Sequence, residues 1–304
     1  MIKNYQLTID MIVEAMRNQA KQAHTTKTEV DISGGVDSAV VAALSCLAFG
    51  NENVIGVYSS IDSSQDSRRR AQMVADRFGF RLVDLNLSYL YWAIVDQVEE
   101  VFKSLNIPFP DIDDPKFNTV FGSLRSCLRA PVGRFVNRAF GGGIRQGTGN
   151  RDEDELIRFY QKGGDGEVDC NWIEGLFKSE VWELAAHLGV PQEIIDAEPT
   201  PDLWAGGNHT DEKELKDLTG AALTYTRPSG PMGTLEWASR ENKKNGCCSW
   251  MTIPAEKMAE LYGYTSEQIE VILAIRKLEQ SSRHKVFLPP YLAREQLVYA
   301  GALE

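Results

Sequence analysis

The stretch Thr28–Ser38, TEVDISGGVDS, decides the fold. The run Thr28–Ile32 reads as a strand, and two adjacent glycines then turn the chain into Asp37–Phe49, DSAVVAALSCLAF. That helix is largely apolar on every side, so it is buried, and Gly50 ends it. The pattern repeats outward. Val54–Tyr58 (VIGVY) is a second strand, Gln65–Phe78 a helix stopped by Gly79, and Arg81–Leu85 a third strand. Three βα units in series predict an α/β fold, a doubly wound parallel sheet with flanking helices. Tyr89–Leu105 and Phe117–Phe140 read as long helices, the second interrupted and kinked at Pro131. Ile144–Gly147 is a short fourth strand that brings Gly147–Asn150 (GTGN) to the carboxyl edge of the sheet. Beyond it, Lys178–Leu188 is a helix, Pro199–Asn208 a loop, and Ala255–Leu261 and Ser266–Leu278 two further helices. Residues 219–253 mix glycine and proline with little period, which predicts an irregular excursion or lid within a single domain spanning 1–304.

Composition narrows the partners. The 304 residues carry 32 Lys+Arg against 43 Asp+Glu, a net charge of −11, and no apolar run approaches the roughly 18 residues that span a bilayer. The N-terminus is amphipathic rather than a signal peptide, so a cytoplasmic protein with no membrane partner is expected. Its five cysteines form no CxxC pair, which argues against a disulfide framework or a thiolate zinc site. Residues 151–220 hold 18 acids and 6 bases, whereas 121–145 hold five arginines and no acid, and Arg68, Arg69 and Arg70 form a second basic cluster. A local basic field on an acidic chain suits a small phosphate-bearing molecule and disfavours nucleic acid.

The loop Ser33–Ser38 is built for an anion. Gly34 and Gly35 permit a tight turn, so backbone amides and the Ser33 and Ser38 hydroxyls can surround phosphate oxygens at a helix N-terminus. It lacks the GK[ST] ending of a Walker A loop and would hold a leaving pyrophosphate rather than grip a nucleotide through a lysine. Asp37 would then serve a metal. A glycine turn merely capped by serine and aspartate is the plainer alternative. Glu153 leaves the GTGN strand at the same edge, so it can share a cation with Asp37, or it can be a solvated acid at a helix start, as Asp152, Asp154 and Glu155 are expected to be. Asp165, in the glycine-rich GGDG, can face a reacting centre or simply satisfy a turn.

SGGVDS resembles the loop of the PP-loop ATP pyrophosphatase superfamily, whose members split ATP between the α- and β-phosphates to adenylate an oxygen. A second block narrows the resemblance: GTGN at 147–150, Glu153, KGGDGEVD at 162–169, GLFK at 175–178, EPTPDLW at 198–204, TDEKEL at 210–215, and His284–Lys285 with Pro289. In this order they look like the ammonia-dependent NAD synthetase family, over residues from about 30 to 290. The resemblance implies ATP as co-substrate, held by Ser33, Gly34, Gly35, Asp37, Ser38, Gln65, Arg129, Thr148, Lys178 and Thr200, with Mg²⁺ on Asp37 and Glu153. Gln65 can equally be solvated at its helix start. Asp165 and Lys178 are implied in catalysis, and Lys162, Asp165, Asp169, Asp202, His284 and Lys285 in binding the acyl substrate. The implied reaction turns deamido-NAD into NAD through an adenylate, in a homodimer whose interface is the 89–140 helix pair. Only about thirty residues precede the first motif strand and no Cys-His-Glu amidase region is seen, so free ammonia or a separate amidotransferase is expected to supply nitrogen.

Several positions depart from the family pattern. GNxxAR appears as Gly122–Cys127, GSLRSC, which loses an asparagine to Ser123 and an arginine to Cys127; Arg125, one turn before Arg129, is a candidate replacement. Gly163 stands for the aromatic of TKYGDG, Glu167 for the glycine after it, Tyr58-Ser59-Ser60 for Arg-x-Pro, and Val286 ends the HKR string. These changes leave room for a PP-loop ligase acting on another carboxylate. A non-catalytic module that binds an adenine dinucleotide is the alternative from another class.

Overall fold

A computed structural model describes residues 2–200, 210–245 and 252–286, together with Gln296 and Tyr299. Its four parallel strands are β1 (Thr28–Asp31), β2 (Val54–Ser60), β3 (Arg81–Asn86) and β4 (Ile144–Gln146), in the order β3-β2-β1-β4. Val30 is in register with Gly56 on one side and with Gln146 on the other. The chain therefore winds outward from β1 to β3, then returns to the opposite flank of β1. That reversal opens a crevice at the carboxyl ends of β1 and β4, where SGGVDS and GTGN become neighbours.

The helices form where the pattern places them. α1 (Tyr5–Gln22) precedes the sheet; α2 (Val36–Phe49) lies between the sheet, α1 and α7 (Lys178–Leu188). Val40, Val41 and Leu44 of α2 are at most 1% exposed, and each contributes on the order of 1.5–3 kcal/mol by leaving water. α3 (Gln65–Phe78) is capped by Ser64, whose hydroxyl accepts from the Ser67 amide at 3.1 Å, and stops at Gly79 with φ +75°. α4 (Ser88–Ser104) and α5 (Asn118–Ala139) share a smaller core around Tyr91, Val95 and Phe121. Against the expected interruption, α5 continues through Pro131, with Ala130 and Gly133 buried on either side of it. No helix among the described residues is long and apolar enough to cross a membrane.

The centre of the sheet holds a charge network that the apolar pattern concealed. Arg145 on β4 is 1% exposed; its Nη1 donates to both Glu29 oxygens (3.1 and 3.2 Å), its Nη2 to Asp31, and its Nε to the Glu167 carbonyl at 3.0 Å. Burial, with Asp31 adding to it, pushes the Glu29 carboxyl up to about 8. The tip of the guanidinium abuts Gly133, where a Cβ would sit 1.9 Å from Nη1. Gly133→Ala is therefore expected to cost about 3 kcal/mol, because overpacking must dislodge a buried ion pair. Urea unfolding of the variant checks this, and wild-type stability would sink the idea.

Residues 219–253 are not irregular throughout. They include α10 (Thr234–Asn245), preceded by a closed turn in which Leu235 donates to the Thr224 carbonyl at 3.2 Å and the amides and hydroxyls of Thr224 and Thr234 bond reciprocally at 2.8 and 3.1 Å. Leu223, Leu235 and Ala238 anchor the segment in the main core at no more than 1% exposure. The remainder of the chain supplies α6 (Arg151–Asp154), α8 (Gln192–Ile195), α9 (Asp211–Thr219), α11 (Ala255–Tyr262) and α12 (Ser266–Ser282).

Candidate active site

The loop after β1 is held open by its own hydroxyls. Ser33 Oγ lies 3.1 Å from Ser38 Oγ and accepts from the Gly35 amide at 3.2 Å, while Ser38 Oγ donates to the Gly35 carbonyl at 3.1 Å. Gly35 caps α2 without a side-chain hydrogen bond, so first-turn amides face the crevice. Gly34 has φ +84°, and a Cβ there would sit 2.4 Å from the Ser67 carbonyl oxygen; glycine is required by both conformation and space. Arg70 Nε donates to the Gly34 carbonyl at 3.1 Å, which ties the loop to α3. Of the basic cluster, Arg68 pairs with Asp84 and Arg69 with Glu193 and Asp66, so Arg70 alone of the three lines the crevice.

Two helix starts converge on one ammonium. Asn150 caps α6, its Oδ1 accepting from the Asp152 and Glu153 amides (3.0 and 3.3 Å), and its Nδ2 donates to Asp37 Oδ1 at 3.1 Å. Asp152 Oδ2 accepts the Lys178 amide at 2.8 Å and so places the first residue of α7. Lys178 Nζ then donates to Asp37 Oδ2 (2.5 Å) and Glu153 Oε1 (3.0 Å) at 3% exposure. Burial alone would lower the Lys178 ammonium, but Asp37 and Glu153 outweigh it and raise it above its usual range. Burial raises Glu153, and raises the nearby Asp211 to about 7. Asp152 and Asp154, expected at the surface, are instead pushed up by burial to about 7 and about 8; the first places Lys178 and the second accepts from Asn171 at 2.8 Å. Glu155 does stay exposed.

A cavity of about 460 Å³ joins this cluster to the GGDG turn. Ser33, Gly34, Gly35, Asp37, Ser38, Arg129, Thr148, Glu153, Asp165, Lys178, Thr200 and Lys285 all line it, as the motif reading expects. Asp165 Oδ1 accepts from Ser126 Oγ at 2.6 Å and from the Gln161 amide at 2.9 Å, which fixes the carboxylate against α5. Lys285 Nζ donates to the carbonyls of Arg158 (2.8 Å) and Tyr160, and burial lowers it from its ordinary range.

Five other expected residues do not line the cavity. Gln65 is exposed at the start of α3, and buried Ser67, two residues on, lines the crevice in its place. Arg125 does not replace the missing guanidinium: it is buried 4.8 Å from the Tyr91 ring centroid and 3.4 Å from Asp62. Asp169 is engaged by Arg134 at 2.8 and 3.0 Å and by the Arg145 amide, and so braces the turn. Lys162 is exposed and donates to the His284 carbonyl at 3.2 Å, and exposed His284 donates from Nδ1 to the Ser281 carbonyl at 3.0 Å. Asp202 lies outside the described residues.

Other members of the site escaped the motif reading. Arg70 was visible only as part of a basic cluster, and Asp211 only as one acid of TDEKEL. Ser126 was the unremarked fifth residue of GSLRSC, and Tyr225 lies in no motif. Its hydroxyl donates to Glu153 Oε1 at 3.1 Å.

Comparison with known proteins fits this geometry. The NAD synthase family matches residues 8–223. An NH(3)-dependent NAD(+) synthetase of Methanosarcina acetivorans is 30% identical over 286 residues, covering 92% of this chain and 94% of that protein. One from Pyrococcus furiosus is 32% identical over 286 residues, 94% of each. Among solved structures, an NMN synthetase from Francisella tularensis superposes with a TM-score of 0.70 at 18% identity, covering 96% of this chain and 99% of that one. An NH3-dependent NAD synthetase from Campylobacter jejuni gives 0.68 at 17% identity, covering 96% and 100%; at such identities the likeness is one of fold. With an SGGVDS loop, an acidic pair bridged by a lysine and sequence relatives that span nearly the whole chain, this protein belongs to the NAD synthase family.

Proposed function

We propose that this chain amidates deamido-NAD to NAD with ammonia, at the expense of ATP. The carboxylate of deamido-NAD attacks the α-phosphorus, pyrophosphate departs, ammonia attacks the acyl carbon of the adenylate, and AMP leaves. The observation that carries the reading is the single cavity reaching from the Ser33–Ser38 loop past Asp37, Glu153 and Lys178 to Asp165. The amides of α2 and the Ser33 and Ser38 hydroxyls bind the phosphates, and Lys178 and Arg70 supply positive charge where negative charge develops on oxygen. Asp165, fixed by Ser126, orients ammonia and accepts its proton, while Lys285 stands at the same end to meet the acyl substrate.

Asp37 and Glu153 suit a hard divalent cation: both offer carboxylate oxygen, and both already turn toward one positive charge. Mg²⁺ held there would neutralise phosphate oxygens during adenylation. We take the compartment to be the cytoplasm, with support from the free thiols of Cys46, Cys127 and Cys170.

Purified protein with Mg²⁺–ATP, deamido-NAD and ammonium is expected to yield NAD, AMP and pyrophosphate, read by mass spectrometry. Amide product from nicotinic acid mononucleotide alone would overturn the substrate, and intact ATP would overturn the reaction.

A homodimer is part of the same reading. Leu90, Ile94, Val98, Val101 and Leu105 form a stripe along α4 at spacings of three and four residues, each between 36% and 61% exposed, and Phe135 of α5 is 73% exposed. Size exclusion with light scattering is expected to give a dimer at micromolar concentration and a monomer for Val98→Glu combined with Val101→Glu. A monomeric wild type would refute the assignment.

A further inference from the structure

Glu153 is steadied by a segment that begins where the family match, ending at residue 223, stops. Tyr225 is 3% exposed; its hydroxyl donates to Glu153 Oε1 at 3.1 Å and lies 3.4 Å from Asp211 Oδ2, and its ring centroid is 5.0 Å from Lys178 Nζ. The residue is fixed from three sides. Its amide donates to Glu212 Oε1 at 2.9 Å, and a Cβ on Gly233 would sit 2.3 Å from its carbonyl carbon, so the turn behind it is closed tightly. α10 in turn locks onto the helices that carry the site, with Ser179 Oγ donating to Glu236 at 2.9 Å and Ser239 Oγ to Glu155 at 2.6 Å. The phenol thus keeps a set position relative to α6.

A carboxylate that meets a cation needs its plane held, and the groups that hold it set affinity nearly as strongly as the ligand itself. Lys178 also bonds Glu153 Oε1, but the proposed reaction draws its ammonium toward phosphate oxygens. Tyr225 is given no phosphate to bind, and its other acceptor, Asp211 Oδ2, lies farther off at 3.4 Å. We propose that Tyr225 is a positioning residue whose hydroxyl holds Glu153 toward Asp37, so that both carboxylates meet the divalent cation together. This rests on the reading of Asp37 and Glu153 as the cation's ligands.

Tyr225→Phe keeps the ring and removes only the hydroxyl. Its kcat, its KM for deamido-NAD, its half-saturating Mg²⁺ and its Mn²⁺ affinity by electron paramagnetic resonance with a non-hydrolysable ATP analogue would be measured beside Glu153→Gln. The expected result is a kcat lower by about 10-fold, half-saturating Mg²⁺ and Mn²⁺ Kd each raised by about 10-fold, and an unchanged KM for deamido-NAD. Wild-type Mn²⁺ affinity in Tyr225→Phe overturns the proposal, whatever its rate. If Glu153→Gln also binds Mn²⁺ normally and turns over at full rate, the ligand assignment beneath it fails as well; if Glu153→Gln is inactive, only the role of Tyr225 falls.

Discussion

Asp37→Asn and Glu153→Gln should each lower ATP–pyrophosphate exchange by at least about 100-fold while leaving the fold intact, since each removes one of the two carboxylates proposed to hold the cation that would neutralise the phosphates during adenylyl transfer. The geometry explains why neither can stand in for the other. Asp37 rides on the first turn of α2, behind the phosphate loop, and Glu153 on α6, behind GTGN, so they approach from opposite sides of the β1–β4 crevice. Asn150 keeps its bond to position 37 in the first variant, and its cap on α6 in both, so circular dichroism should match wild type. Exchange at the wild-type rate in either variant would remove that residue from the site.

Lys178→Met should damage both rate and stability. The side chain is the internal cation between Asp37 and Glu153, with Asp211 nearby, and its loss leaves buried carboxylates without compensation at a cost of about 3 kcal/mol. Added Mg²⁺ should restore melting temperature in the variant more than in wild type, because the cation would take over the neutralising role. The dependence on pH has a defined sign. Burial holds Glu153 and Asp211 above their unfolded values, Asp211 near 7, so the native state keeps protons that the unfolded chain has lost. Stability in Lys178→Met should therefore be greatest near pH 4 to 5 and fall as pH rises through 7. A variant whose melting temperature rises over that interval, or ignores Mg²⁺, would contradict the counter-ion role.

Much of this was legible because the informative features are local. Gly50 and Gly79 end α2 and α3 where the pattern says they should, and Gln65–Phe78 and Lys178–Leu188 were read to the residue. The phosphate loop and the approach of Asp37 to Glu153 followed from short motifs at a shared sheet edge, whereas the bridging of the two by Lys178, expected as a phosphate contact, did not. What escaped was set by tertiary packing. Arg125 looked like a ligand because it lies one turn from Arg129, but the ring of Tyr91 and the carboxylate of Asp62 claim it. The buried roles of Asp152 and Asp154 were hidden in a run of acids that would ordinarily be solvated. α10 was missed because Leu235, Trp237 and Ala238 are too few to mark a helical face among Glu, Arg, Asn and Lys. Nothing in the composition around Tyr225 announces a bond to a residue 72 positions earlier.

The separation of sheet and site along the chain bears on synthesis at the ribosome. All four strands of the described residues lie before residue 147, whereas the acidic cluster also needs Lys178 from α7, Asp211 from α9 and Tyr225 from the turn before α10. A nascent chain halted shortly after GTGN has its scaffold strands, phosphate loop and Asn150 but lacks the cation that bridges Asp37 and Glu153. Contacts of such long range form late. The acidic cluster is thus incomplete until the last third of the polypeptide has emerged and docked, and premature termination yields fragments that lack the residues to complete it.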